Sequence, residues 1–351
     1  MAPQSDLRAL LDLTVSTRAL LAQFLTSLSS PSATSTLPPN PPNPLHVLRD
    51  SAALLKAQTT KLSLLLINKP FTASAITKVL REIMGTVLPA MMSGVEICQP
   101  GIWGRLLSAE AKVRVRNVMR EMDGMVAEVG EAAQQELSGK EKSVKNRDSL
   151  ASTGVVWAAC DRVTELEGLG VGGLAVRKAE QYRDTIKDAI EELKEWGEDD
   201  EDDEEGFENG ESEGEGDRDS VEDIFAAANR LPTDRKDLRE LLDKSLNRLK
   251  KVDMLYAALT KRRLKTFAPD VASEKANVLK LDELIDALKQ LPEIVDELAS
   301  AFYDLDTDEI NTVLQRCLSE ARDAAELVKT SWEGKEDEFT AWAGKWIEAV
   351  K

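Results

Sequence analysis

Residues 61–98, KLSLLLINKPFTASAITKVLREIMGTVLPAMMSGVEIC, carry the pattern that decides the fold class. A run of leucines ends at Asn68-Lys69-Pro70-Phe71. Apolar residues then recur at Ile76, Val79, Leu80, Ile83, Met84, Val87, Leu88, Met91 and Val95. That is the i, i+3, i+4, i+7 spacing of one helical face, with Lys78, Arg81 and Glu82 on the other side. Proline disfavours helical backbone at the residue before it, so the preceding helix should stop near Asn68. The stretch therefore predicts a helix, a very short turn and a second helix folded back on the first. Inside the second helix, Pro89 crowds the carbonyl four residues back, at a cost of about 3 kcal/mol. That earlier residue is Gly85, which predicts a kink that absorbs the crowding.

Working outward, residues 6–28 predict a helix burying Leu10, Leu13, Leu20, Leu21, Phe24, Leu25 and Leu28. A Ser-, Thr- and Pro-rich linker at 29–44 follows and reads as an extended surface strap more readily than as a ligand for a proline-reading domain. Leu45, Leu48, Ala52, Leu55, Thr59, Leu62 and Leu66 keep a heptad rhythm over 45–68. The repeat is short and has a threonine at one core position, so a helix of an intramolecular bundle explains it better than a leucine zipper. Gln99-Pro100-Gly101 marks a turn before a long helix over 104–137, with Val115, Val118, Met119, Met122, Met125, Val126 and Val129 inward. Methionines 84, 91, 92, 119, 122 and 125 invite comparison with an adaptable binding groove, but such residues more often fill gaps in a core. After a polar loop at 138–148, a helix over 149–167 uses Val156, Ala159, Cys160, Val163 and Leu166. Gly168, Gly170 and Gly173 have the G-x-G-x-x-G spacing, but a helix precedes them where a dinucleotide fingerprint needs a strand, so they read as a helix–helix turn. A helix over 174–196 keeps Tyr182, Ile186, Ile190 and Leu193 on one face.

The chain has 351 residues and a formal net charge of −18. Residues 198–217 hold 13 acidic residues and no Lys or Arg, which leaves −5 on the rest. A charge of that sign argues against general binding to nucleic acid or an anionic membrane. The acidic tract should be disordered and divide the chain into an N-terminal bundle at 1–197, a linker at 198–219 and a C-terminal bundle at 220–351. Two separate bundles, or one fold sharing helices across the tract, fit equally well. Ser212 and Ser220 each precede an acidic residue three positions on and are candidate phosphoacceptors; Ser220 also reads as a helix N-cap. Three widely spaced cysteines, Cys98, Cys160 and Cys317, fit a reducing compartment. With no signal-peptide pattern and no apolar run near the ~20 residues that span a bilayer, the expectation is a soluble intracellular protein.

Beyond the tract, residues 221–230 predict a short helix and 234–267 a long one. The long helix ends in two basic clusters, Lys250-Lys251 and Lys261-Arg262-Arg263-Leu264-Lys265. This arrangement resembles a bipartite nuclear import signal through Lys250, Lys251, Lys261, Arg262, Arg263 and Lys265; cations at a helix C-terminus also suit the helix dipole. Helices over 280–291 and 293–305 flank Pro292, Asp306 caps the next, and Phe339, Trp342, Trp346, Ile347 and Val350 place a last one at the C-terminus. No segment alternates with period two, so the fold class is all-α.

Chemistry is sparse. His46 is the single histidine, so neither a metal cluster nor a Ser/His/Asp or Cys/His set can be assembled with a choice of partners. The reading is of a non-enzyme with no cofactor and no metal.

Residues 65–83 (LLINKPFTASAITKVLREI), 85–98 (GTVLPAMMSGVEIC) and 101–129 (GIWGRLLSAEAKVRVRNVMREMDGMVAEV) resemble the N-terminal region of the cyclin-D-interacting, or cyclin-D-binding, GCIP-type family. The acidic break and residues 242–265 (LDKSLNRLKKVDMLYAALTKRRLK) are similar to that family's C-terminal half. The resemblance implies antiparallel helical bundles of the vinculin and α-catenin kind. It also implies binding of D-type cyclins and helix–loop–helix factors, negative regulation of the cell cycle and transcription, and residence in cytoplasm and nucleus. It transfers no individual contact residue. A vinculin-like adaptor that binds filaments is the alternative.

Overall fold

The computed structural model of the protein describes residues 3–30, 39–139, 146–198, 231, 235–268, 272 and 274–351. Among them there are helices and no strand, as the sequence patterning predicts. Residues 199–230 lie outside this set, and with them nearly all of the acidic tract, Ser212, Ser220 and the helix expected at 221–230. By packing, the chain forms two units, Met1–Leu174 and Ala175–Lys351.

In the first unit, α1 (Gln4–Ser29) packs on α6 (Arg105–Ser138) and on α3 (Ala73–Glu82). Its buried stripe is Leu7, Leu10, Thr14, Thr17, Leu21 and Leu28; Leu13, Leu20, Phe24 and Leu25, expected inside, are only half-buried. The stripe follows alternating steps of three and four, and two threonines fall on it. They fit because each hydroxyl donates to a carbonyl of its own helix, Thr14 to Leu11 and Thr17 to Leu13, both at 2.7 Å. Helix α2 (Pro44–Ile67) starts at Asn43, whose side chain accepts from the Leu45 amide at 2.9 Å. It buries Leu45, Leu48, Ala52, Leu55, Thr59 and Leu62, the intramolecular heptad expected, with Leu66 half-buried. After a cis Lys69–Pro70 bond the chain returns through α3.

The Gly85/Pro89 pair resolves into a π-helical turn, Ile83–Val87, between α3 and α4 (Leu88–Ile97). The Leu88 amide reaches the Ile83 carbonyl five residues back. Pro89 has no N–H for the Gly85 carbonyl, so widening the turn by one residue relieves the crowding that a regular helix would suffer. Further along, a Cβ at Gly94 would stand 2.8 Å from the Leu48 side chain, so this glycine lets α4 lie close on α2. A short α5 (Pro100–Trp103) leads into α6, and the first part of α7 (Asn146–Glu198) completes the unit. It is fixed to α2 by Arg49–Glu167 at 2.6 Å, Lys56–Asp161 at 2.6 Å and a hydrogen bond from Trp157 to Thr59 at 3.2 Å. Methionines 91, 92, 119, 122 and 125 are buried and Met84 half-buried, so they fill the core. The expected glycine-rich turn reduces to one residue, Gly170, at φ 59° and ψ −168°.

The second unit comprises residues 175–198 of α7, α8 (Lys236–Arg262), α9 (Lys275–Tyr303), α10 (Thr307–Leu327) and α11 (Glu338–Ala349). Residues 175–198, grouped by sequence with the N-terminal helices, pack here instead. Trp196 packs tilted against Phe302 and edge-on against Tyr303, with ring centroids 6.2 and 5.6 Å away, and Arg183 forms a bidentate pair with Asp253 at 2.6 and 3.0 Å.

Pro292 was expected to separate two helices; it lies instead inside one continuous helix, α9. Proline deprives the Leu288 carbonyl of its usual donor. The buried Tyr256 hydroxyl of α8 donates to that same carbonyl. The tyrosine's polar tip and the orphaned acceptor thus satisfy each other, and the helix runs on. Tyr256→Phe should cost about 1–2 kcal/mol, since it leaves that acceptor buried and unpaired. In a Pro292→Ala background the new amide takes over the carbonyl, and the same substitution should cost measurably less. Urea unfolding followed through the tryptophans of the second unit tests this coupling.

Candidate functional site

The six basic residues of the import-like motif are held very differently. Arg263, at the end of α8, is 1% exposed. Its Nε donates to the Val328 carbonyl at 2.6 Å, Nη1 to the Arg262 carbonyl at 2.9 Å and to Asp337 at 2.8 Å, and Nη2 to the Lys329 carbonyl and Asp337, both at 2.9 Å. The guanidinium thus lies between the Val328 and Lys329 carbonyls, just past the end of α10, and Asp337, the N-cap of α11, and over the Phe339 ring at 4.4 Å. A cation suits the negative end of α10, and a planar fork suits a carboxylate. Lys251 donates to the Ala349 carbonyl at 2.8 Å, Arg262 pairs with Glu338 at 2.8 Å, and Lys265 stands 3.9 Å from Glu180. Lys250, Lys261, Arg262 and Lys265 remain exposed. Sequence reading missed the structural task of Arg263; the available signal was Asp337 followed by Thr340, a capping box awaiting a cation.

Two surface grooves stand out, one in each unit. The groove of the second unit, about 450 Å³, is floored by Ala257, Ala258 and Phe339 and edged by Met254 and Trp342. Along its charged edge Arg183 pairs with Asp253 and Arg262 with Glu338, while Lys261 is exposed.

The groove of the first unit, about 510 Å³, runs between α2 and α3. Gln58, Lys61, Leu64 and Leu65 come from α2 and Ala75, Lys78, Val79 and Glu82 from α3. Each set repeats at helical spacing over two turns, which is why two adjacent helices make one trough. Leu64 is 54% exposed, unusual for a leucine facing a concave surface. Gln58 is only 1% exposed, and its Oε1 has no hydrogen-bond partner. Lys61 and Lys78 make no ion pair among the described residues.

Reactive groups are not gathered at either groove. Cys98, Cys160 and Cys317 are free and buried, and burial pushes each thiol up to about 12, far from the thiolate that nucleophilic or metal chemistry needs. His46 lies 3.3 Å from Glu167, a single imidazole–carboxylate contact at the start of α2. Among the described residues no three His, Cys, Asp or Glu side chains are placed to hold a metal ion. No described helix is long and apolar enough to cross a membrane.

Residues 47–199 match the family model described as Grap2 and cyclin-D-interacting, N-terminal, so the family resemblance read from residues 65–129 holds over a span reaching from α2 to the end of α7. The chain is also similar to an uncharacterised protein of Schizosaccharomyces pombe, 24% identical over 306 residues, which covers 87% of this chain and 83% of the relative.

The Arg263–Asp337 pair makes a pH-dependent contribution whose sign follows from the geometry. Hydrogen bonds from Arg263, above all, hold the Asp337 carboxyl down at about 2. An unfolded aspartate titrates near 3.9, so the pair stabilises the fold fully above about pH 4 and loses that contribution as pH falls toward 2. The stability gap between the native protein and Asp337→Asn should therefore be level from pH 5 to 8 and close on acidification. Arg263→Met should cost about 2 kcal/mol at neutral pH, because it strands the buried Val328 carbonyl and leaves the partly exposed Asp337 carboxylate without its cation. Urea titrations across pH measure both.

Proposed function

We propose that this protein is a non-enzymatic, protein-binding regulator of the cyclin-D-interacting type, which restrains cell-cycle progression and transcription by engaging a D-type cyclin or a helix–loop–helix factor. The observation that carries the reading is the family match over residues 47–199, the segment that builds α2 to α7. The surface chemistry supports it: helical grooves lined by apolar side chains and edged by charges are the means by which helices are recognised. Buried thiols and a lone paired histidine point the same way.

The same proposal places the protein in both cytoplasm and nucleus. Import would be read from Lys250, Lys261, Arg262 and Lys265, which face solvent, while Arg263 serves the fold. Ser212 and Ser220 are the proposed acceptors for an acid-directed kinase. A filament-binding adaptor is the competing reading, favoured only by the helical-unit architecture.

Purified full-length protein, immobilised and exposed separately to purified D-type cyclin, a purified helix–loop–helix factor and F-actin, discriminates the two. Retention of cyclin or of the helix–loop–helix factor, without co-sedimentation with F-actin, is the expected result. Pelleting with filaments and no retention of either regulator would replace the proposal with the adaptor reading.

A further inference from the structure

We propose that the groove between α2 and α3 is a docking site for an acidic amphipathic helix of a partner protein. The inference rests on the protein-binding reading above and adds to it a place and a ligand chemistry.

Three observations converge there. The first is charge. On a chain of net charge −18, this trough carries Lys61 and Lys78 against a single Glu82, and neither lysine is engaged by an ion pair among the described residues. The groove of the second unit carries one such cation, Lys261, while its two arginines are already paired with Asp253 and Glu338. Two uncommitted ammonium groups on facing walls favour an occupant with carboxylates along both flanks.

The second is apolar exposure. Leu64 leaves more than half its surface to water, with Leu65 and Val79 beside it. A leucine or aromatic side chain seated between them would remove that surface from solvent. The third is Gln58, almost fully buried at the same place with its carbonyl oxygen unpartnered. A buried acceptor without a donor is costly, and a donor carried by the occupant removes the cost once the Gln58 side chain turns toward the trough.

The walls also fix the conformation of the occupant. Both are helices whose backbone groups are already paired, so the trough offers side chains and no edge for an extended strand. A helix satisfies its own backbone and can lie between α2 and α3 as α1 lies between α3 and α6 elsewhere in the unit. Matching stripes of two turns on each wall, Gln58–Leu65 and Ala75–Glu82, suit anchors at i, i+3, i+4 and i+7.

The test uses full-length protein and a fluorescein-labelled synthetic helix about 16 residues long, with leucines at i, i+3, i+4, i+7 spacing flanked by glutamates. Two controls carry lysines in place of the glutamates, or the same composition without helical period. Fluorescence anisotropy should show binding of the acidic helix alone, weakened by added salt. Leu64→Glu, a substitution at an exposed position, should weaken it about tenfold or more. Lys61→Glu combined with Lys78→Glu should transfer preference to the lysine-bearing helix; this gain of binding cannot be produced by misfolding. Equal binding of all three peptides, or binding indifferent to Leu64→Glu, would overturn the proposal. So would a dimer of the protein itself that Leu64→Glu dissociates while no peptide binds, since the trough would then belong to a second copy. Peptide binding without cyclin capture would leave this site standing and remove the cyclin reading. Cyclin capture without peptide binding would do the reverse.

Discussion

Arg263 uses all five of its N–H donors inside the fold: on the carbonyls of Arg262, Val328 and Lys329 and on both oxygens of Asp337. Through these bonds one side chain ties the end of α8 to the end of α10 and the beginning of α11. Its own carbonyl accepts from the Trp332 indole at 2.9 Å, and Trp332 in turn meets the Phe267 ring edge-on at 4.9 Å. A buried cation is tolerable only when such a set of partners is complete, because the desolvation cost is of the same order as the attraction gained. The turn between α10 and α11 contains few apolar residues to hold it by burial alone. Its geometry therefore depends on a charge that an import-signal reading of the sequence would have placed in solvent.

The same logic of paired irregularities recurs. Pro292 leaves a carbonyl without a donor, and Tyr256 brings a hydroxyl that would otherwise be buried without an acceptor. Thr14 and Thr17 put hydroxyls on a packed face and return them to their own backbone. In each case a polar defect is matched by a second one, and neither is costly once they meet. Gln58 breaks the pattern, and it does so beside two lysines without ion pairs and an exposed leucine. Arg116 Nε, Gln135 Oε1 and Thr260 Oγ1 are also buried without a partner, so it is the coincidence of Gln58 with the two lysines and Leu64 in one place that marks the α2–α3 trough as facing something outside the chain.

Much of this architecture was legible in the residues. The helical face from Ile76 to Val95 and the heptad from Leu45 to Leu62 are periodic enough that packing could hardly reverse them. Asp306 caps α10 as expected, its carboxylate accepting from the Asp308 and Glu309 amides at 3.1 and 3.0 Å. The failures share a cause. Leu13 and Leu20 were favoured over Thr14 and Thr17 because hydropathy ranks leucine first, whereas the neighbours of α1 select by angle. Pro292 was read as a stop because its remedy, Tyr256, lies 36 residues earlier in sequence. Residues 175–198 were grouped by the acidic tract that follows them, although Arg183 and Trp196 have their partners beyond it. The trough itself left no motif, because it is built from two half-stripes on different helices.

The π-helical turn at Ile83–Val87 has a genealogical side. Such a turn holds one more residue than a regular helical turn of the same height, while the buried faces before and after it still point inward. An ordinary helix cannot lose a residue without rotating its downstream face by roughly 100°. Here the bulge stores the difference. A relative without a proline at the position of Pro89 can omit one residue of this turn and keep Ile76, Leu80, Leu88, Met91 and Val95 in the core. The turn is thus a hyphen in the sequence, where length can change and the packing need not follow.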